Sequence, residues 1–106
     1  MCGIAGFCDF NRNSTESVLR NMTNALAHRG PNDNGYKTID TPTAVIGLGH
    51  RRLAILDLSM NGHQPMIYNG LMVVWNGEIY NFKSIRSELM LKGYHFDSNS
   101  DTEVIF

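Results

Sequence analysis

Apolar residues recur at helical spacing in two stretches of the chain. Between residues 15 and 28 they fall at i, i+4, i+7 and i+8, which gives a helix one apolar face: Val18, Met22, Ala25 and Leu26. Ser14 or Thr15 can cap the start of this helix, and Gly30 followed by Pro31 ends it.

The second predicted helix covers residues 82–92. Ile85 and Leu89 lie on one face of it, Asn81 can cap its start, and Gly93 ends it. A further helix is expected to begin near the end of the chain, where Asp101 stands in a capping position.

Shorter apolar or alternating runs predict strands: 3–10, 43–49, 53–58, 71–75 and 94–96. The polar residues 50–52 are expected to separate two of these strands. Residues 31–42, rich in Asn, Asp, Gly, Thr and Pro, predict a loop, as do residues 59–65. Helices and strands mix without strict βαβ alternation, which favours the α+β class.

Composition limits what the chain can do. Its 106 residues suffice for one small domain. A net charge of −1 gives no electrostatic footprint for nucleic acid or a membrane surface. No apolar run approaches the roughly 18 residues that span a bilayer.

Without a basic n-region at the N-terminus, a cytoplasmic location is expected. Cys2 and Cys8 are then free thiols, with Cys8 expected in the core.

Cys2 directly follows the initiator methionine. Small second residues generally allow removal of that methionine, so a mature chain would begin with cysteine. A terminal α-amine has an ordinary pKa of about 7.7–8.0 and can act as a base toward the thiol of the same residue. This is the logic of N-terminal nucleophile enzymes. The alternative is a small apolar residue at a frayed chain end.

Five segments, read together, carry a family resemblance. They are Cys-Gly-Ile-Ala-Gly at 2–6, His-Arg-Gly-Pro-Asn-Asp-Asn-Gly at 28–35, Gly-His-Arg-Arg-Leu-Ala-Ile-Leu-Asp at 49–57, Asn-Gly-Glu-Ile-Tyr-Asn at 76–81 and Ser-Asp-Thr-Glu at 100–103. In order and spacing the chain resembles class II glutamine amidotransferases, from Cys2 to Phe106. One such segment is weak, whereas five in order are specific.

Details within these segments resemble the asparagine synthetase branch of the class. They are Arg-Gly-Pro at 29–31, Arg-Leu-Ala-Ile at 52–55, Gln-Pro at 64–65 and the whole of 76–81. One departure concerns the acidic residue expected directly after the proline, which stands one place later as Asp33. No catalytic role is assigned to that loop.

The resemblance implies how glutamine is hydrolysed. Cys2 would attack the side-chain amide and form a γ-glutamyl thioester, while the Asn76 side chain and the Gly77 N–H would stabilise the oxyanion. Arg52 would bind the substrate carboxylate, and Leu53, Ile55 and Leu56 would line the same pocket. Asp101 would bind the substrate ammonium, with Glu78 contributing to glutamine binding.

Simpler interpretations exist for several of these residues. Asn76-Gly77 between apolar runs is a strong local signal for a type I′ hairpin turn. Arg51 and Arg52 could be solvated surface side chains, and Asp101 could be only a helix N-cap. His28, His50, His63 and His95 form no ligand cluster by spacing, so no metal is expected.

The family fold is an α+β four-layer αββα sandwich, of which residues 1–106 would supply only part. A synthetase domain using ATP and Mg²⁺ would follow in the parent protein and take up the ammonia. A homodimer is a further possible assembly. No cofactor is expected in this segment. The alternatives are an amidotransferase with a different acceptor and a non-catalytic glutamine-binding fragment.

Overall fold

A computed structural model describes residues 1–54 and 59–106. These described residues form five strands and two α-helices, with 3₁₀ turns at Met60–Gly62 and Asp101–Ile105. The order is β1 (Gly3–Asp9), α1 (Glu16–Ala25), β2 (Asp33–Asp40), β3 (Val45–Arg52), β4 (Met66–Tyr68), β5 (Leu71–Val73) and α2 (Phe82–Leu91). This mixture of helices and antiparallel strands agrees with the predicted α+β character.

The larger sheet is antiparallel, with strand order β1-β3-β2. β3 is the central strand: His50 and Arg51 pair with both neighbours, and Arg52 pairs with Asp33 of β2. The prediction that residues 50–52 separate two strands was therefore wrong. Alternation within a strand places adjacent polar side chains on opposite faces, where each can find its own partners.

β2 replaces most of the loop predicted for residues 31–42. Its composition is typical of a loop, but the strand forms because its main chain pairs with β3 from Asp33 to Asp40. As an edge strand with much of its surface in solvent, it can carry polar side chains.

Helix α1 covers one face of this sheet. Thr15 caps it, accepting a hydrogen bond from the Val18 N–H at 3.4 Å. Leu19 and Thr23 are the buried side chains, at 0% and 1% exposure, whereas Val18 is 43% exposed. The predicted apolar face was thus rotated by about one residue, because Gly49 on β3 brings the backbone close enough to accept Thr23 rather than a larger side chain.

The opposite face of the sheet is covered only in part. His50 and Arg52 are buried at one end of it. Ile4 and Ile39, on the same face, are 48% and 37% exposed. Cys8 also lies on this face and is exposed, so the prediction of a core thiol was wrong.

The remaining elements lie after residue 58. β4 and β5 form a two-stranded hairpin. Helix α2 ends in a Schellman motif: Gly93 has φ +93°, and the Tyr94 N–H donates to the Leu89 carbonyl at 3.1 Å. Ile85 and Leu89 are half-buried, in line with the predicted inward face, as are Phe82 and Arg86. Asn81 precedes the helix without the predicted side-chain capping bond.

Two predicted strands are not found as such. Residues 94–96 have no strand structure. Leu53 and Ala54 lie beyond the end of β3, and the rest of the predicted strand 53–58 lies outside the described residues. No helix in the described part of the chain is long and apolar enough to cross a membrane.

Candidate active site

A cavity of about 240 Å³ lies at the partly covered end of the sheet. Five separate parts of the chain line it: the N-terminus, the end of β3, the segment at residues 62–64, the segment after β5 and the last 3₁₀ turn. Most of the residues assigned to glutamine by resemblance lie along its walls: Cys2, Arg52, Leu53, Asn76, Gly77, Glu78 and Asp101. Ile55 and Leu56, assigned to the same pocket, lie outside the described residues.

Cys2 reaches the cavity because it precedes β1 just where β3 ends. The Gly3–Arg51 pair fixes this register, so Cys2 lies beside the residues that follow Arg51. The Leu53 N–H donates to the Cys2 Sγ at 3.2 Å. The Cys2 Sγ in turn donates to the Leu53 carbonyl at 3.7 Å, so the main chain of Leu53 holds the sulfur at the cavity wall.

Strand alternation separates the two adjacent arginines. Arg51 points toward α1, where its Nε donates to the Thr23 carbonyl at 3.2 Å and its Nη2 to Asn24 Oδ1 at 2.9 Å. Arg52 points to the other face, is 8% exposed, and donates from Nη1 to the Ser59 carbonyl at 2.6 Å. Of these two arginines, only Arg52 lines the cavity.

The Arg52 guanidinium packs directly against Gly62. A Cβ at that position would collide with it, so glycine there makes room for the cation. A planar, buried guanidinium at the cavity wall can bind a carboxylate through two parallel hydrogen bonds.

Asn76 and Gly77 follow β5 and form no hairpin turn. Gly77 lacks the positive φ that a type I′ turn requires. It must be glycine for another reason, since a Cβ would approach Cζ2 of the Trp75 ring to 2.7 Å. Within the described residues, neither the Asn76 side-chain amide nor the Gly77 N–H donates to a protein acceptor.

Asp101 joins the last 3₁₀ turn to the segment carrying Asn76 and Gly77. Its Oδ2 accepts a hydrogen bond from the Ile79 N–H at 2.7 Å, and its side chain is 8% exposed. The predicted N-cap role belongs instead to Ser100, whose Oγ accepts from the Thr102 N–H at 3.1 Å. Asp101 is therefore held by the cavity loop rather than by the helix start. Glu78 is exposed at the cavity mouth.

Several cavity residues were not assigned from the sequence, and two of them, His50 and Gln64, bind the main chain of a third, Trp75. His50 Nε2 donates to the Trp75 carbonyl at 3.2 Å, since a carbonyl can only accept. Gln64 Oε1 accepts from the Trp75 N–H at 2.6 Å. The signal that could have found His50 and Gln64 is their presence in the segments that carry the resemblance.

Burial lowers the pKa of His50 below its ordinary value of 6.5, since a charge there would be desolvated. The Trp75 carbonyl and Asp33 act in the opposite direction, whereas Arg52 and His63 add to the lowering. His50 is therefore held neutral, with its proton on Nε2.

Asp33, which departs from the expected motif position, lies beside the site. His63 donates from Nδ1 to Asp33 Oδ2 at 2.6 Å. The described residues contain no group of three or more His, Cys, Asp and Glu placed to hold a metal ion.

Comparison with known proteins assigns the domain. Residues 1–106 match the glutamine amidotransferase domain family. Asparagine synthetase [glutamine-hydrolyzing] 1 of Bacillus subtilis is 39% identical over 99% of this chain, and asparagine synthetase [glutamine-hydrolyzing] 3 of Arabidopsis thaliana is 38% identical over 99%. Glutamine–fructose-6-phosphate aminotransferase [isomerizing] of Corynebacterium glutamicum is 47% identical over 59%.

The aligned regions are small parts of these relatives. The chain spans 17% of the length of the Bacillus protein, 18% of the Arabidopsis protein and 11% of the Corynebacterium protein. The Bacillus and Arabidopsis matches, which cover 99% of this chain, nevertheless run through every segment that lines the cavity. The chain belongs to the glutamine amidotransferase domain family, and it matches part of the glutamine-hydrolysing asparagine synthetases.

Proposed function

We propose that this domain hydrolyses glutamine to glutamate and ammonia through a thioester on Cys2. The observation that carries the proposal is the convergence on one cavity of a thiol, a buried guanidinium, two uncommitted amide donors and a carboxylate. These are the groups that a nucleophilic attack on the side-chain amide of an amino acid requires.

The reaction begins at the Cys2 sulfur. Met1 is 69% exposed. Its removal frees the α-amine of Cys2 to take the thiol proton. The thiolate attacks the amide carbon of glutamine, and ammonia leaves with that proton as the C–N bond breaks. Water then attacks the thioester, which releases glutamate and restores the thiol.

The oxyanion of the tetrahedral intermediate lies between the Asn76 side-chain amide and the Gly77 N–H. Both donors are free of protein acceptors within the described residues, so neither has to break a bond before reaction. Loss of one such donor typically costs about 10²–10³-fold in rate.

The two charged ends of the substrate select an amino acid. The Arg52 guanidinium binds the α-carboxylate, with Leu53 alongside. Asp101 binds the α-ammonium while its Oδ2 keeps the bond to Ile79, and Glu78 at the cavity mouth adds negative charge near the same group.

The fate of the ammonia follows from the relatives. A synthetase domain in the longer protein would consume the ammonia, and the name of the Bacillus relative, a glutamine-hydrolyzing asparagine synthetase, supports this. The use of ATP and Mg²⁺ by that domain stays a prediction. The match to an aminosugar enzyme supports the alternative of a different acceptor. A homodimer and a cytoplasmic location stay predictions.

The four-layer αββα sandwich belongs to the same proposal. Helix α1 covers one face of the three-stranded sheet, and the apolar residues Ile4 and Ile39 on the other face remain partly exposed. A second sheet packed on that face would bury them, which supports residues 1–106 as part of a larger domain.

A pair of cysteine variants tests the proposal in the complete polypeptide that carries this domain. Cys2→Ala should lower glutaminase activity by at least about 10³-fold, because the nucleophile is lost. Cys8→Ala, which changes a thiol outside the cavity, should keep the wild-type rate. The melting temperature of each variant checks that it is folded.

Glutamate release by Cys2→Ala at the wild-type rate would contradict the proposal. Wild-type protein that binds glutamine without releasing glutamate would instead establish a non-catalytic glutamine-binding domain.

A further inference from the structure

The loop that carries the two proposed oxyanion donors is fixed at both ends by buried side chains. At its far end, Asp101 Oδ2 accepts from the Ile79 N–H at 2.7 Å. At its near end, both polar groups of the Trp75 main chain are bound. His50 Nε2 donates to the Trp75 carbonyl at 3.2 Å, and Gln64 Oε1 accepts from the Trp75 N–H at 2.6 Å.

We propose that His50 and Gln64 are positioning residues that hold Trp75 from two sides and so aim the Asn76 amide and the Gly77 N–H at the reacting carbonyl. This inference rests on the glutaminase activity proposed above. Neither residue has to touch glutamine for the effect, because the Trp75 carbonyl belongs to the peptide unit that leads directly into Asn76.

The burial of the two side chains makes them suitable for this task. His50 is 1% exposed and Gln64 is 5% exposed, so neither can exchange its bond for one with bulk water at low cost. Their bonds come from different elements, since His50 belongs to β3 and Gln64 follows the 3₁₀ turn at Met60–Gly62. The position of the loop is thereby fixed relative to the central strand β3, whose end also carries Arg52.

Gln64 also connects the near end of the loop to its far end. Its Nε2 donates to Thr102 Oγ1 at 3.4 Å, and Thr102 is 3% exposed next to Asp101. The ring of Trp75 in turn occupies the space that a Cβ at Gly77 would need. Glycine at position 77 therefore lets the main chain pass close to the Trp75 ring.

The expected kinetic signature differs from that of a binding residue. A donor misplaced by about 1 Å can cost about 10²-fold in rate, while substrate binding through Arg52 and Asp101 is kept. Loss of the His50 or Gln64 bond should therefore lower kcat and leave KM for glutamine nearly unchanged.

The test uses His50→Leu and Gln64→Met in the complete polypeptide, with His50→Gln as the conservative variant. The first two should lower kcat of glutaminase by about 10- to 100-fold with KM within about threefold. His50→Gln keeps an N–H donor near the Nε2 position and should recover most of the lost kcat. Leu19→Val, in the core on the other face of the sheet, controls for destabilisation and should keep the wild-type kcat.

Several outcomes would overturn the inference. They are wild-type kcat in Gln64→Met and His50→Leu, a loss confined to KM, or equal losses in His50→Gln and His50→Leu. If His50→Leu does not fold, the comparison of Gln64→Met with His50→Gln and Leu19→Val still decides the question. A wild-type protein without glutaminase activity would remove the proposed function and this inference together.

Discussion

His50 shows how much a single side chain can do without contacting substrate. Among the described residues it is the most buried titratable group, at 1% exposure, and it donates to the Trp75 carbonyl. Its Nδ1 has no hydrogen-bond partner within the described residues. Protonation would place a second N–H there without an acceptor, which agrees with the direction in which burial moves its pKa.

This lowered pKa predicts a pH dependence of folding. The unfolded chain binds a proton at His50 near pH 6.5, whereas the native chain binds it only at lower pH. The contribution of His50 to stability is thus complete above pH 6.5 and is lost as the pH falls toward the native pKa. Three nearby groups also act on the pKa of His50: Asp33 raises it, whereas Arg52 and His63 lower it.

The measurement is the free energy of unfolding by urea at pH 7.5, 6.5 and 5.5. Wild-type stability should fall across this range, and His50→Gln should fall less, because the variant has nothing to titrate at that position. His28→Gln, at an exposed position, should keep the wild-type slope. Equal slopes for wild type and His50→Gln would rule out this role for His50.

Arg51 and Arg52 are adjacent, and only one of them can be the arginine that the resemblance assigns to the substrate carboxylate. The sequence resemblance selects the second arginine after the histidine. In the structure, Arg51 is bound to Thr23 and Asn24 of α1, and Arg52 lines the cavity. Strand alternation alone would have separated them, but residues 50–52 had not been predicted as a strand.

At the scale of elements, two Asn-Gly pairs have opposite outcomes. Asn69 and Gly70 have φ values of +50° and +82° and join β4 to β5, as a type I′ turn requires. Asn76 and Gly77, which carried the hairpin signal in the sequence, form no such turn. Local composition is the same in both, and the bonds from His50 and Gln64 to Trp75 distinguish the second pair.

The turn at Gly70 can be tested by substitution. A Cβ there would meet nothing within 4 Å, so any cost comes from the backbone conformation alone. Gly70→Ala should lower the free energy of unfolding by about 1 kcal/mol, whereas Gly70→Asn should cost less, because asparagine adopts positive φ more readily. Chemical denaturation measures both. Equal stability of the alanine and asparagine variants would contradict the turn assignment.

Element types were predicted well where a local signal dominates and poorly where pairing decides. Thr15 and Gly93 mark the start of α1 and the end of α2 by local chemistry. β2 is held by main-chain pairing to β3, and this pairing does not depend on side-chain type. The strand can therefore have a composition that is typical of a loop. The face of α1 depends on Gly49 of a distant strand, which periodicity within the helix does not include.

At the scale of the whole molecule, the site exists because the register of one sheet brings two chain regions together. The Gly3–Arg51 pair sets Cys2 beside Leu53, and the buried end of the same sheet face receives the loop after β5. The family resemblance predicted this group of residues without their geometry. It could not predict how they are supported, because His50 and Gln64 act through Trp75 rather than through substrate.

The central claim is that Cys2, with a free α-amine, is the nucleophile of an assembled glutamine site. Intact-mass spectrometry of the complete polypeptide, before and after a glutamine-mimicking electrophile, tests it most directly. The account predicts loss of the Met1 mass and a single adduct that maps to Cys2 and is slowed by excess glutamine. Retention of Met1, or an adduct on Cys8 in place of Cys2, would contradict it.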